Sequence, residues 1–216
     1  MKGFLRFAIV VVSLLCTCTA GWATPQEDFW TWFTQNEPAL FDFEKDQDHV
    51  FKELDGQLQK IDPNLTFEFG PKENGKREFV ISAGGIFKSF PAVISLYDAA
   101  PKLDRWTIIK FRPRRPIGDT DVELGGVKVA PKDVAFILVP DGDKAGLLIF
   151  LAGMNQAQDS TYKQIAYLFL DQALGEYDVE TKVGAIEILP ADTQTKSEKR
   201  PLTELPDAVD SFMKAH

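Results

Sequence analysis

The string FRPRRP, residues 111–116, places Arg112, Arg114 and Arg115 within four positions, with Pro113 between the first two and Pro116 after the last. Three guanidiniums in so short a span can bind phosphate or carboxylate bidentately, and the prolines fix the backbone direction of the loop that carries them. These three arginines are the candidate anion-binding residues. The competing reading is structural. The chain is rich in carboxylates, and nearby Asp119 and Asp121 are ready partners. An anion site needs the three guanidiniums to converge with free donors, and pairing with the protein's own acids would remove that capacity.

Other chemistries find less material. His49 and His216 are the only histidines, which argues against zinc and against a Ser-His-Asp or Cys-His site. His49 reads as a solvated helix residue, and no metal ligand set or cofactor motif is expected. Gly70-Pro71-Lys72-Glu73-Asn74-Gly75-Lys76-Arg77 comes close to a phosphate-binding loop. Arg77 stands where a hydroxyl is needed, however, and the loop leads into a strand, so it is a hairpin turn. Asp119, Asp121 and Glu123 alternate in one loop, and Asp141 and Asp143 flank Gly142. Oxygen-rich loops can hold Ca²⁺, but neither has the EF-hand spacing, and turns select Asp and Gly for backbone reasons. Carboxylate pairs for hydrolysis depend on spatial separation, which leaves Glu123 and Glu187 as candidates.

The N-terminus bounds where any of this takes place. Lys2 and Arg6 precede an apolar stretch from Phe7 to Cys18, and Gly21 and Ala23 stand at −3 and −1 of a cleavage site before Thr24. That pattern is a secretory signal peptide over 1–23, and its apolar core is shorter than the roughly 20 residues a membrane span requires. Export to the periplasm is expected. The alternative is a lipoprotein anchored through Cys18, with Leu15 at −3. Cleavage after Ala23 removes Cys16 and Cys18, so the mature chain has neither thiol nor disulfide. It also removes Lys2 and Arg6, lowering Lys+Arg from 24 to 22 against 32 Asp+Glu, a net charge of −10. Such a chain is repelled by nucleic acid and by anionic lipid, and no further membrane segment follows.

The elements that must position the arginines read as one α+β domain over 24–216, with a mostly antiparallel sheet and packed helices. Phe29, Trp32 and Phe33 share a face of an aromatic helix over 27–36, expected to pack on the core. Val50, Leu54, Leu58 and Ile61 mark a helix over 45–61. LTFEF and REFVIS flank Asn74-Gly75 as a hairpin. A helix follows at 87–99, with Pro91 in its first turn, and then strand 106–111. VEL and VKV form a small hairpin, and AFILVP and GLLIFLAG a larger one. The helix at 160–174 is apolar almost all round and is expected to be buried on more than one side, ending at Gly175. A strand at 183–189 and an amphipathic helix after Thr203 complete the chain.

This order contains a possible duplication. Residues 65–113 and 134–190 each read strand, turn, strand, helix, strand, Pro, and each hairpin ends in Ala-Gly (Ala83-Gly84 and Ala152-Gly153). Two ββαβ units can join edge to edge or form two lobes with a cleft. The first unit ends in FRPRRP, and the second in a plain ILP.

FRPRRP, IAYLFLD (165–171) and LGEYDVE (174–180), with the aromatic FWTWF and the strand REFVIS, resemble strings of a group of uncharacterised bacterial proteins, over most of the mature chain. The resemblance implies a bacterial source and hence a periplasmic destination, and it assigns no catalytic residue. The leading expectation is a non-catalytic exported binding or interaction protein that takes a small anionic ligand or a protein partner. The alternatives are a hydrolase using paired carboxylates and an inhibitor or immunity-type partner of a basic protein, towards which the acidic surface would steer it.

Overall fold

A computed structural model describes residues 23–215 of the chain, so the expected signal peptide, apart from Ala23, lies outside the described residues with Cys16 and Cys18, as does His216. A capping box opens the first helix. The Thr24 hydroxyl accepts from the Glu27 N–H, and the Glu27 carboxylate accepts the Thr24 N–H at 2.7 Å, which satisfies donors that a helix start leaves open. Helix α1 (Pro25–Gln35) follows, then α2 (Glu37–Phe41) and α3 (Gln47–Leu58). Phe29 and Phe33 are buried as the spacing predicts, but their neighbour at full burial is Trp30, with Trp32 only partly covered. Trp30 Nε1 donates to the Leu96 carbonyl at 2.8 Å, so the indole buries its polar atom with a partner.

The first ββαβ unit is β1 (Thr66–Glu73), β2 (Lys76–Ser82), α4 (Phe90–Asp98) and β3 (Trp106–Lys110). The hairpin turns through Asn74 and Gly75 at φ 51° and 75°, the paired left-handed residues a two-residue hairpin requires. β1 pairs antiparallel with β2, and β2 pairs parallel with β3. Phe79 and Ile81 point to one face and join α1, α3 and α4 in a core that is largely aromatic. Arg77 points to the same face and is buried. Its guanidinium lies 4.4 Å from the Phe43 ring centroid and pairs with Glu44, a cation held by a ring face and one carboxylate.

The second unit repeats the plan. After the small hairpin β4 (Val122–Leu124) and β5 (Val127–Val129) come β6 (Val134–Asp141), β7 (Lys144–Leu151), α5 (Asp159–Leu174), α6 (Glu176–Lys182) and β8 (Val183–Pro190). β6 and β7 are antiparallel, and β7 and β8 are parallel. A short β9 (Arg200–Pro201) adds to the outer side of β6, and α7 (Leu205–Ala215) closes a second core around Phe136, Leu147, Ile165 and Phe169. The expected duplication therefore holds at the level of topology, with strand order 1-2-3 and antiparallel then parallel pairing in both units. The units do not join edge to edge, because each has its own sheet and its own core.

One expectation about the second unit needs correction. Helix α5 is not buried on more than one side: Tyr162, Ile165, Ala166, Phe169 and Leu170 face the core, while Tyr167 and Leu168 are each about half exposed. The helix ends at Gly175 as expected, and the chain starts a second helix, α6, at once.

Candidate functional site

The two units meet at FRPRRP. The chain leaves β3 through Phe111, which sits at φ 63° in the left-handed region that an aromatic residue seldom adopts. Burial holds it there: the Phe111 ring packs 4.4 Å from Phe90 in the first unit and 5.2 Å from Tyr177 in the second. The bend sends the next residues along the end of α5 and the start of α6. Main-chain groups join first, with the Glu176 N–H donating to the Arg112 carbonyl at 3.0 Å and the Arg115 N–H to the Gln172 carbonyl at 2.7 Å.

Each arginine then finds carboxylates. Arg112 pairs with Glu68 of β1 through Nε and approaches Asp171 of α5 at 3.5 Å. Arg114 donates to both oxygens of Asp210 on α7 at 2.9 and 2.8 Å, to Asp178 of α6 at 2.5 Å, and to the Leu174 carbonyl at 2.9 Å. Arg115 pairs with Glu78 of β2 at 2.5 Å. The three guanidiniums thus diverge to three sets of acids on both units. Each guanidinium is tied to the protein's own carboxylates, which favours the structural reading of this string over a free anion site. The partners are also not the nearby Asp119 and Asp121: Asp121 pairs with Lys128 at 3.0 Å.

The centre of the junction is a residue that the sequence did not single out. Glu176, the first residue of α6, is fully buried. One carboxylate oxygen accepts the N–H groups of Ala83 and Gly85 at 2.8 and 3.0 Å, and the other accepts the N–H of Arg112 at 3.1 Å. A side chain of the second unit is therefore ligated by three main-chain donors of the first and its exit strand. Around it stand further acids. Burial pushes the Asp171 carboxyl up to about 6, opposed by Arg112 and reinforced by Glu176, Glu180 and Glu68. Burial and Glu176 also raise Glu180, against Lys144. On the far side Arg114 holds Asp210 below its ordinary value. A cleft of about 290 Å³ opens beside Arg112, lined by Glu68, Pro113, Arg115, Leu168, Asp171 and Gln172.

No family model, curated protein or solved structure matches the chain. The junction must therefore be read from its own geometry. The strings FRPRRP, IAYLFLD and LGEYDVE are separate in sequence, yet they supply Arg112, Arg114, Arg115, Asp171, Gly175, Glu176 and Asp178, which meet in this one place.

The remaining sequence candidates scatter. Glu123 is exposed on β4 and Glu187 is exposed on β8, in different sheets. Asp141 accepts the Ala185 N–H at 2.8 Å and so ties the β6–β7 turn to β8. His49 is exposed on α3. Among the described residues no group of three or more His, Cys, Asp and Glu side chains is placed to hold a metal, and no helix is long and apolar enough to cross a membrane. The signal for Glu176 in the sequence was the Ala-Gly turn shared by both units, whose N–H groups need an acceptor. Nothing local indicated that the acceptor lay 93 residues away.

Proposed function

We propose that the protein is an exported, non-catalytic interaction module that binds a protein partner across the junction of its two units. The observation that carries this reading is a composite aromatic surface. Phe87, in the turn before α4, is 60 % exposed, and Tyr177 on α6 is 48 % exposed, with Ile86 beside Phe87. Both rings rest on the same buried ring, Phe90, at 5.3 and 5.8 Å. They come from different units, so this surface exists only while the units are docked. Large aromatic side chains held rigidly and left exposed are the usual anchors of protein interfaces. An inhibitor or immunity-type role against a basic partner falls within this reading.

Export and kinship belong to the same proposal. Cleavage after Ala23 would make Thr24 the first residue and set its new ammonium against the Glu27 carboxylate, where the Thr24 nitrogen already lies at 2.7 Å. This favours a periplasmic mature chain starting at Thr24 over a lipid anchor at Cys18. The proposal extends to membership of the uncharacterised bacterial group whose strings FRPRRP, IAYLFLD and LGEYDVE resemble.

The test replaces Phe87 with a photo-reactive aromatic residue and irradiates cells that export the protein. A discrete crosslinked partner is expected, absent when the same residue is placed at exposed Glu53 and lost when Tyr177→Ser is added. Crosslinking that matches the Glu53 control sinks the reading. Phe87→Ser and Tyr177→Ser should each leave stability within about 1 kcal/mol, because both rings are about half exposed or more.

A second reading, hydrolysis by paired carboxylates, has one observation in its favour: Asp171, raised by burial, shares the cleft with Glu68. Hydrolytic turnover abolished by Asp171→Asn would establish it.

A further inference from the structure

The Ala83–Gly85 turn is built as a receptor. Gly84 and Gly85 both hold positive φ, at 60° and 75°, a conformation that residues with a side chain seldom adopt. The turn thereby directs the Ala83 and Gly85 N–H groups to one point, where the Arg112 N–H also arrives. The Gly84 N–H is turned aside to the Ser82 hydroxyl at 3.0 Å. Two donors thus meet one acceptor oxygen and one donor meets the other, an arrangement that fits the planar fork of a carboxylate better than a tetrahedral oxyanion. Concave sets of main-chain N–H groups are a general way of binding anions.

The duplicated turn in the second unit is not built this way. There the Ala152 N–H donates to the Asp133 carbonyl at 3.0 Å. A Cβ on Gly153 would stand 3.0 Å from the Tyr162 hydroxyl, so a side chain already lies against that turn. The difference between the two units is therefore that the first turn presents main-chain donors to a fully buried carboxylate, while the Ala152 N–H of the second is spent on a main-chain carbonyl.

We infer that Ala83, Gly85 and the Arg112 N–H form a carboxylate-binding site whose occupant is the chain's own Glu176, so that docking of the two units is an intramolecular ligation that a free carboxylate can replace. The site is defined by the donors and does not require the tether. Glu176→Ala removes the occupant and leaves three donors without an acceptor, the Ala83 N–H among them fully buried, which is costly. The substitution removes the carboxylate and one methylene, and formate restores the carboxylate's three heavy atoms. Glu176→Gln keeps one oxygen, which can face the Ala83 and Gly85 donors, but turns an amide NH₂ towards the Arg112 N–H.

The experiment is thermal unfolding of wild type, Glu176→Ala and Glu176→Gln in sodium formate and in sodium chloride of equal ionic strength. In chloride, Glu176→Ala should melt about 5–10 °C below wild type, with Glu176→Gln between them. In formate at about 0.1 M, Glu176→Ala alone should recover a substantial part of its loss, in line with mass-action stabilisation by a ligand of the folded state. If Glu176→Ala is unfolded in chloride, far-UV circular dichroism should show formate refolding it. The inference is overturned if formate does not restore Glu176→Ala, or if it shifts all three proteins equally. The outcome is independent of whether a protein partner is found at Phe87 and Tyr177.

Discussion

Gly175→Ala is expected to destabilise the protein by about 3 kcal/mol and to separate the unfolding of its two units. Gly175 sits at φ 77°, ψ 149°, a region open almost only to glycine and costing about 1–3 kcal/mol for other residues. Space adds to this. A Cβ there would meet the Arg114 nitrogen at 3.0 Å and the Arg112 carbonyl oxygen at 3.1 Å, both main-chain atoms that cannot swing aside. Relief requires the FRPRRP segment to lift from α6, which also strains the Glu176 N–H bond to Arg112. Each unit keeps its own core, so the expected product is two folded units with weakened coupling. The tryptophans among the described residues report on this selectively. Trp30, Trp32 and Trp106 all belong to the first core or pack on it, whereas far-UV circular dichroism reports on both units. Wild type should show coincident fluorescence and dichroism transitions, the mark of two-state unfolding. In Gly175→Ala the two transitions should part. An unchanged midpoint would refute the strain argument, and a lowered but coincident pair would refute the separability of the units.

The junction escaped the sequence for physical reasons. The elements themselves were legible because their signals are local: Asn74-Gly75 dictates its turn, Val50, Leu54 and Leu58 mark one helix face, and Pro91 sits where a helix tolerates it. The duplication was legible because it is an order of such elements. Arg112, Arg114 and Arg115 stand out because they form a run of guanidiniums in an acidic chain. Their partners do not, because Glu68, Glu78, Asp171, Asp178 and Asp210 are five among 32 acidic residues and nothing in their neighbourhoods distinguishes them. Trp30 and Trp32 exchange places for a related reason. The helical period identifies a face, but the hydrogen bond from Trp30 to Leu96 that fixes which indole goes inward is a tertiary fact. In the sequence Arg77 only spoils a phosphate loop, because a buried arginine is visible only once Phe41, Phe43 and Glu44 close around it.

The asymmetry between the units gives the arginines their role. A duplicated ββαβ unit can bury its own core without help, so some further device must decide how two copies sit together. The first copy ends in a string whose main chain and side chains both reach across, and the second ends in residues 188–190, ILP, which do not carry such side chains. Prolines at 113 and 116 keep that string extended, so the three guanidiniums cannot fold back on one another and must point to different partners. Arginine suits this task better than lysine, since Arg114 binds two carboxylates and a carbonyl from one planar group. The acidic net charge then has a local counterpart: the junction gathers carboxylates faster than it gathers cations, and Asp171 and Glu180 are left short.

Asp171→Asn is accordingly expected to stabilise the protein by about 1–3 kcal/mol at pH 7 and to lose that advantage near pH 4. In the unfolded chain Asp171 titrates near its ordinary value of 3.8, while burial in the junction raises it to about 6. Between these values the folded protein retains a proton that the unfolded chain has released, so stability contributed at this site falls as pH rises from about 4 to 6 and the full penalty is present above 6. A tenfold difference in proton affinity between folded and unfolded chain is worth about 1.4 kcal/mol, so removing the charge recovers at most about 3 kcal/mol. The gain is reduced because Arg112 loses a partner at 3.5 Å, although Glu68 remains. Asp42, Glu44 and Asp210 run the other way. Their cationic partners depress them, so their contribution is present above about pH 4 and is lost as pH falls further. Those groups are common to wild type and variant, so they cancel in the difference. Urea midpoints of the two proteins at pH 4, 5.5 and 7 isolate Asp171. A difference that grows with pH assigns the cost to its buried charge, whereas a constant loss in Asp171→Asn at every pH would mean that the contact with Arg112 outweighs burial.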